Sequence, residues 1–134
     1  MAGGPYPRRM LELEALDHVQ ITAPPDQAEA TIAFYATTLG LPRIAKPNTR
    51  PGAWFQLGDA QLHVGVEPMA TEDNTRSKRH TCFRVRDAVE AERTLRAEGV
   101  AILPDTDRSP EWLRFYVRDP AGNRVEIGQR IDGR

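Results

Sequence analysis

The chain has 134 residues, enough for one domain with a sizeable core or for two small modules that share one. Its formal net charge of −1 gives no electrostatic basis for binding nucleic acid or a membrane surface. Cys82 is the only cysteine, which excludes an intrachain disulfide and suits a reducing compartment. No apolar run is long enough to span a bilayer, and MAGGPYPRRM lacks the apolar centre of a signal peptide, so a cytoplasmic protein is expected.

Gly3, Gly4, Pro5 and Pro7 predict a flexible arm over residues 1–14. LDHVQIT then alternates, with Val19 and Ile21 on one face and His18 and Gln20 on the other. Pro24-Pro25 closes this strand. Asp26 and Glu29 stand at the spacing of a reciprocal helix cap. Ala28, Ile32, Tyr35 and Leu39 form one helical stripe, and Gly40 ends it. A short strand is expected near Arg43 to Lys46. AWFQL and QLHVGV predict a hairpin around Gly58-Asp59, with Leu62, Val64 and Val66 facing away from Gln61, His63 and Gly65. EPMATEDNTRSK has no periodicity and is expected as an exposed connection.

The pattern then recurs. HTCFRVR places Thr81, Phe83 and Val85 opposite His80, Cys82 and Arg84. Asp87 and Glu90 repeat the cap spacing, Ala88, Ala91 and Leu95 repeat the stripe, and Gly99 repeats the stop. A strand is expected over Val100 to Leu103. In WLRFYVRDPAGNRVEI, two alternating strands flank a turn at Asp119 to Asn123, where Gly122 and Asn123 accept positive φ. Glu126 falls on the polar face just past that turn.

These elements form an internal repeat: strand, helix, glycine stop, short strand, hairpin. His18 to His63 spans 45 residues and His80 to Glu126 spans 46. Each half thus places one metal-capable side chain on the polar face of its first strand and one on its last. Helices over the apolar faces would leave the polar faces to a shared hollow, where three imidazoles and a carboxylate suit Zn, Fe, Co, Ni or Mn. Read singly, each of the four is an ordinary polar residue on a wet sheet face; the matched spacing is what favours ligation.

The segments LDHVQITAP, FYATTLGL, WFQLGDAQLHVGVE, RHTCFRV and FYVRDPAGNRVEIG resemble the vicinal oxygen chelate superfamily. That group includes glyoxalase I, methylmalonyl-CoA epimerase, fosfomycin-resistance thiol transferases, extradiol dioxygenases and metal-free bleomycin-binding proteins. The resemblance implies an α+β fold of two βαβββ modules, forming a curved mixed sheet around a shared cavity with helices on the outer face. It implies one domain over 15–128, with module one at 15–67, a linker at 68–78, module two at 79–128, and a tail at 129–134. His18, His80 and Glu126 match family ligands; His63 stands where glyoxalase I has Glu and the epimerase has Gln. The expected ligand set is therefore His18, His63, His80 and Glu126 for one divalent metal ion, within one chain or across a homodimer.

The resemblance further implies isomerase or lyase chemistry on a small oxygenated substrate through a metal-stabilised enolate. Glu126 and Tyr116 are the candidate catalytic residues. Trp54, Gln61, Arg84, Arg114 and Arg124 share the hollow-facing phase and are candidate substrate contacts, the arginines for an anionic group. One alternative is an extradiol Fe(II) dioxygenase, because Tyr116 lies ten residues before Glu126; the His expected ahead of Phe115-Tyr116 is missing. The other is a non-catalytic small-molecule binder, for which Trp54 supplies a stacking surface.

Overall fold

In the computed structural model, residues 10–134 are described; most of the expected N-terminal arm, residues 1–9, lies outside the described residues. The alternating segments fold as strands. Sheet one contains β1 (His18–Ala23), β2 (Arg43–Ile44), β3 (Gly52–Leu57) and β4 (Ala60–Val66), in the order β1-β4-β3-β2. Sheet two contains β5 (His80–Arg84), β6 (Leu103–Pro104), β7 (Trp112–Arg118) and β8 (Arg124–Arg130), in the order β5-β8-β7-β6. The second order is the first shifted by four strands, so the sequence repeat is a structural repeat. In each sheet the first strand pairs parallel to the last, and the other pairs are antiparallel. The result is the expected α+β fold, curved and not closed.

The helices lie on the apolar faces. The first begins as a 3-10 turn (Pro25–Gln27), continues as α1 (Ala28–Ala33) and ends in a π-helical turn (Phe34–Thr38). The reciprocal cap expected from Asp26 and Glu29 does not form. Pro25 starts the helix instead, and Thr31 Oγ1 donates back to Gln27 O (2.7 Å). In module two, Asp87 does cap α3 (Ala88–Ala97), its carboxylate accepting from Glu90 N (3.0 Å). The strand expected over Val100 to Leu103 starts only at Leu103; Val100 and Ile102 pack against the core from irregular chain. At the other end β8 runs to Arg130, two residues past the expected domain limit.

One core serves both modules. Phe55, Leu62 and Val64 of sheet one cluster with Phe115, Val117, Val125 and Ile127 of sheet two. Tyr35 lies between them, 6.3 Å from the Phe55 ring and 6.4 Å from Phe83. Its hydroxyl donates to Asp119 Oδ2 (2.7 Å) in the β7–β8 turn. Asp119 also accepts from the N–H groups of Ala121 (3.0 Å) and Asn123 (2.9 Å) and from Asn123 Nδ2 (2.9 Å). In that turn only Gly122 has positive φ (84°); Asn123 does not.

The connection read as merely exposed is partly structural. It contains α2 (Thr71–Thr75), whose Asn74 is buried and donates to Thr22 O (3.1 Å) and Ala121 O (2.9 Å). Asn123 Nδ2 donates to the same Thr22 carbonyl (3.0 Å). A Cβ on Gly122 would meet Thr71 O at 2.8 Å, so the turn approaches α2 more closely than any other residue allows. No helix among the described residues is long and apolar enough to cross a membrane.

Tyr35→Phe removes one donor from a buried carboxylate and should cost about 1–3 kcal/mol in urea unfolding at neutral pH. Burial first, then Asp119, raises the Tyr35 phenol well above the ordinary 10.0. A raised folded-state value means the Tyr35 contribution to stability is intact below about pH 10 and is lost as pH climbs towards the folded value. The wild type should show this alkaline loss and Tyr35→Phe a smaller one, because the raised Tyr116 and Cys82 remain in the variant; identical alkaline profiles would contradict the assignment.

Candidate functional site

Strand pairing assembles two similar clusters on the polar faces. On sheet one, His63 lies between Gln20 of β1 and Trp54 of β3 in the strand register. On sheet two, Glu126 lies between Cys82 of β5 and Tyr116 of β7. His63 and Glu126 therefore occupy equivalent places in the two modules.

The first cluster is an aromatic stack. The Trp54 and His63 rings are 3.9 Å apart and 3° from parallel; His63 and His18 are 4.2 Å apart and 15° from parallel. Buried beneath its two neighbours, His63 is only 4% exposed. Its Nε2 bonds Gln61 Oε1 (2.8 Å), and Gln61 in turn donates to Gln56 Oε1 (3.0 Å). Burial, and after it the His18 charge, push the His63 imidazole below the ordinary 6.5. His18 Nδ1 is held by Asp17 Oδ2 (2.7 Å), which leaves Nε2 free. Lys46 lies over the outer face of Trp54, 5.9 Å from its ring centre.

The second cluster is an acid-base network. His80 Nε2 is 3.0 Å from Glu126 Oε1, and His80 Nδ1 donates to Lys78 O (2.9 Å). A carbonyl accepts only, so Nδ1 carries a proton, and the Nε2–Glu126 contact holds a further proton shared between ring and carboxylate. Arg114 NH1 is 3.6 Å from the other Glu126 oxygen. Asp105 holds Arg114 through Nε (2.9 Å), and Asp107 O accepts from its NH2 (3.1 Å). Arg124 lies over the Tyr116 ring, 4.0 Å from its centre. The Tyr116 phenol is raised, first by burial and then by the Glu126 charge. The Cys82 thiol is pushed up to about 12, by burial of the sulfur first and Glu126 second, although the outer edge of the residue is open to solvent. Neither group is a ready base at neutral pH.

The sequence-derived residues thus fall into two sets. Trp54, Gln61, His18 and His63 meet on sheet one. Tyr116, Arg114, Arg124, His80 and Glu126 meet on sheet two. Arg84 joins neither, its guanidinium donating to Arg134 O. Among the described residues no three His, Cys, Asp or Glu side chains converge on one point. Two imidazoles on one sheet, and an imidazole with a carboxylate on the other, are suitable donors for a borderline divalent ion, but each pair alone falls short of the usual three protein ligands.

Sequence reading missed Asp105, Asp17 and Cys82. Cys82 was legible from its phase beside His80. Asp105 lies in a loop without periodicity, and only the fold brings it to Arg114.

Two βαβββ modules carrying paired polar clusters define a two-module α+β protein with His and carboxylate donors on its open faces. The chain belongs to the Glyoxalase/Bleomycin resistance protein/Dioxygenase superfamily, whose family profile matches residues 15–127. It is similar to a glyoxalase family protein from Bacillus anthracis, with 34% identity, TM-score 0.78, and coverage of 91% of this chain and 99% of that one. A second relative is the glyoxalase domain-containing protein RDO1 of Mycosarcoma maydis, 28% identical over 95% of this chain and 74% of its own length. Lactoylglutathione lyase from Agrobacterium tumefaciens shares the fold, with 24% identity, TM-score 0.66, and coverage of 88% and 95%.

The stack gives an optical test. A charged imidazole against an indole quenches its fluorescence, so Trp54 emission should fall as His63 protonates. Because burial lowers the His63 value, the step should occur below pH 6.5. His63→Gln should abolish it, with Trp112 as the constant background; a step at or above 6.5, or one that survives in His63→Gln, would contradict the assignment.

Proposed function

We propose that the protein is a metal-dependent enzyme of the glyoxalase type, with isomerase or lyase chemistry on a small oxygenated substrate. It acts as a cytoplasmic homodimer in which His18 and His63 of one copy complete a centre with His80 and Glu126 of the other. One observation carries this reading: two two-donor sets occupy equivalent positions on separate sheets, and neither reaches three donors alone. Symmetric pairing of two copies would create two equal centres.

A divalent ion of Zn, Ni, Co, Mn or Fe bound there would act as a Lewis acid towards two substrate oxygens and ease loss of a proton from the adjacent carbon. The chain supplies the rest. Glu126 accepts that proton, held in place by His80 and Arg114 on its two oxygens. Tyr116, kept protonated by its surroundings, donates a hydrogen bond to substrate rather than serving as a base. Trp54 offers a flat apolar wall with His63 behind it.

A second reading is binding without chemistry. The Trp54–His63–His18 stack favours it, because a planar ligand could extend the same stack. The Fe(II) dioxygenase reading would use His18, His80 and Glu126; the remaining histidine, His63, is stacked on Trp54 in sheet one, so none is left as the acid-base partner near Tyr116.

Complementation tests the shared centre. A His18→Ala/His63→Ala chain and a His80→Ala/Glu126→Gln chain should each bind little metal. Produced together, they should recover about one quarter of wild-type metal, since about half the dimers are mixed and each holds one intact centre. No recovery in verified mixed dimers would refute a shared centre. Glu126→Gln alone should keep much of its metal but lose exchange of the substrate-carbon proton with deuterated water, followed by NMR on a substrate found by screening. Undiminished exchange would remove Glu126 as the base.

A further inference from the structure

A cavity of about 670 Å³ lies at the seam between β1 and β5, the two edge strands that face each other across the modules. Lys78, Arg79, His80 and Arg124 line it together with Asn74 and Asn123, and no carboxylate does among the described residues. This is unusual in a chain with net charge −1, where carboxylates outnumber Lys and Arg by 19 to 18. No ion pair engages Lys78, Arg79 or Arg124 among the described residues. Glu126 does not line the cavity, and His80 and Arg114 stand against its two oxygens. The Arg124 guanidinium lies 4.0 Å from the centre of the Tyr116 ring, a stack that restricts its freedom.

We infer that this cavity binds an oxyanion group, a carboxylate, phosphate or phosphonate, with Lys78, Arg79 and Arg124 as its cationic contacts. A stacked guanidinium presents two parallel N–H donors to such a group. Unpaired cations around a concave surface reinforce one another's field and retain an anion more strongly than scattered surface lysines do. The cavity shares His80 with the proposed centre, so the inference assigns the substrate a fixed negative charge; that extension rests on the enzymatic reading, while oxyanion binding does not.

The test is calorimetric titration of the full-length, chelator-treated protein with inorganic phosphate at constant ionic strength, supported by thermal unfolding. Saturable binding is expected, about tenfold weaker in Arg124→Gln, as loss of one charge-assisted contact implies. Arg79→Gln, an exposed residue outside the strands, should weaken it as well and serves if Arg124→Gln folds poorly. Arg43→Gln, the same charge change on exposed β2, should leave it unchanged. Absence of saturable binding, or equal loss in all three variants, overturns the inference. Binding seen only in metal-loaded protein and untouched by Arg124→Gln also overturns it, and leaves the metal reading standing. Saturable, Arg124-dependent binding in a protein that takes up no metal supports the inference and removes the metal reading.

Discussion

The carboxylate of Asp119 is the point at which the two modules become one molecule. It sits 4% exposed in the β7–β8 turn and accepts from Tyr35 Oη, two backbone N–H groups and the Asn123 amide. A buried charge is costly unless its lone pairs are filled, and here they are filled from both halves of the chain. Burial raises the Asp119 carboxyl above its usual range, while Tyr35 and Asn123 pull it down. Asn74 and Asn123 add a second tie by sharing the Thr22 carbonyl at the end of β1. Among the described residues no buried side-chain polar atom is left without a partner.

This junction fixes the first helix between the apolar faces of both sheets, and so determines which surfaces remain for function. The polar faces carry the clusters. Strand pairing gives them the same plan, a central residue flanked by one side chain from the first strand and one from the third. Their chemistry differs. Sheet one surrounds His63 with rings and amides and keeps it neutral; sheet two surrounds Glu126 with His80 and Arg114 and keeps it paired. One duplicated scaffold thus presents a neutral, stacking half and a charged, proton-handling half.

The arginines divide by the same logic. Arg114 belongs to the carboxylates: Asp105 and Glu126 both engage it, so its role is to position Glu126. Arg124, two residues before Glu126 on the same strand face, has an aromatic partner and, among the described residues, no acidic one. Equal residue types with equal strand phase therefore play different parts, because loop 105–107 folds over one and not the other.

Sequence alone determined the repeated modules, the phase of every long strand, and the polar-face placement of His18, His63, His80 and Glu126. Strand alternation has a period of two, and the glycine stops and the Asp87 cap act within a few residues, so these features are written locally. Tertiary structure decided the rest. It put Asn74 of an aperiodic segment into the junction, replaced the expected Asp26 cap with a proline-led 3-10 turn, and carried Asp105 to Arg114. It also divided the four donors into two pairs. The alternation that assigns a side chain to a face does not record how two faces are set against each other. That angle depends on the packing of Tyr35, Phe55 and Phe83 and on the buried Asp119 bond, all of which join residues far apart in the chain.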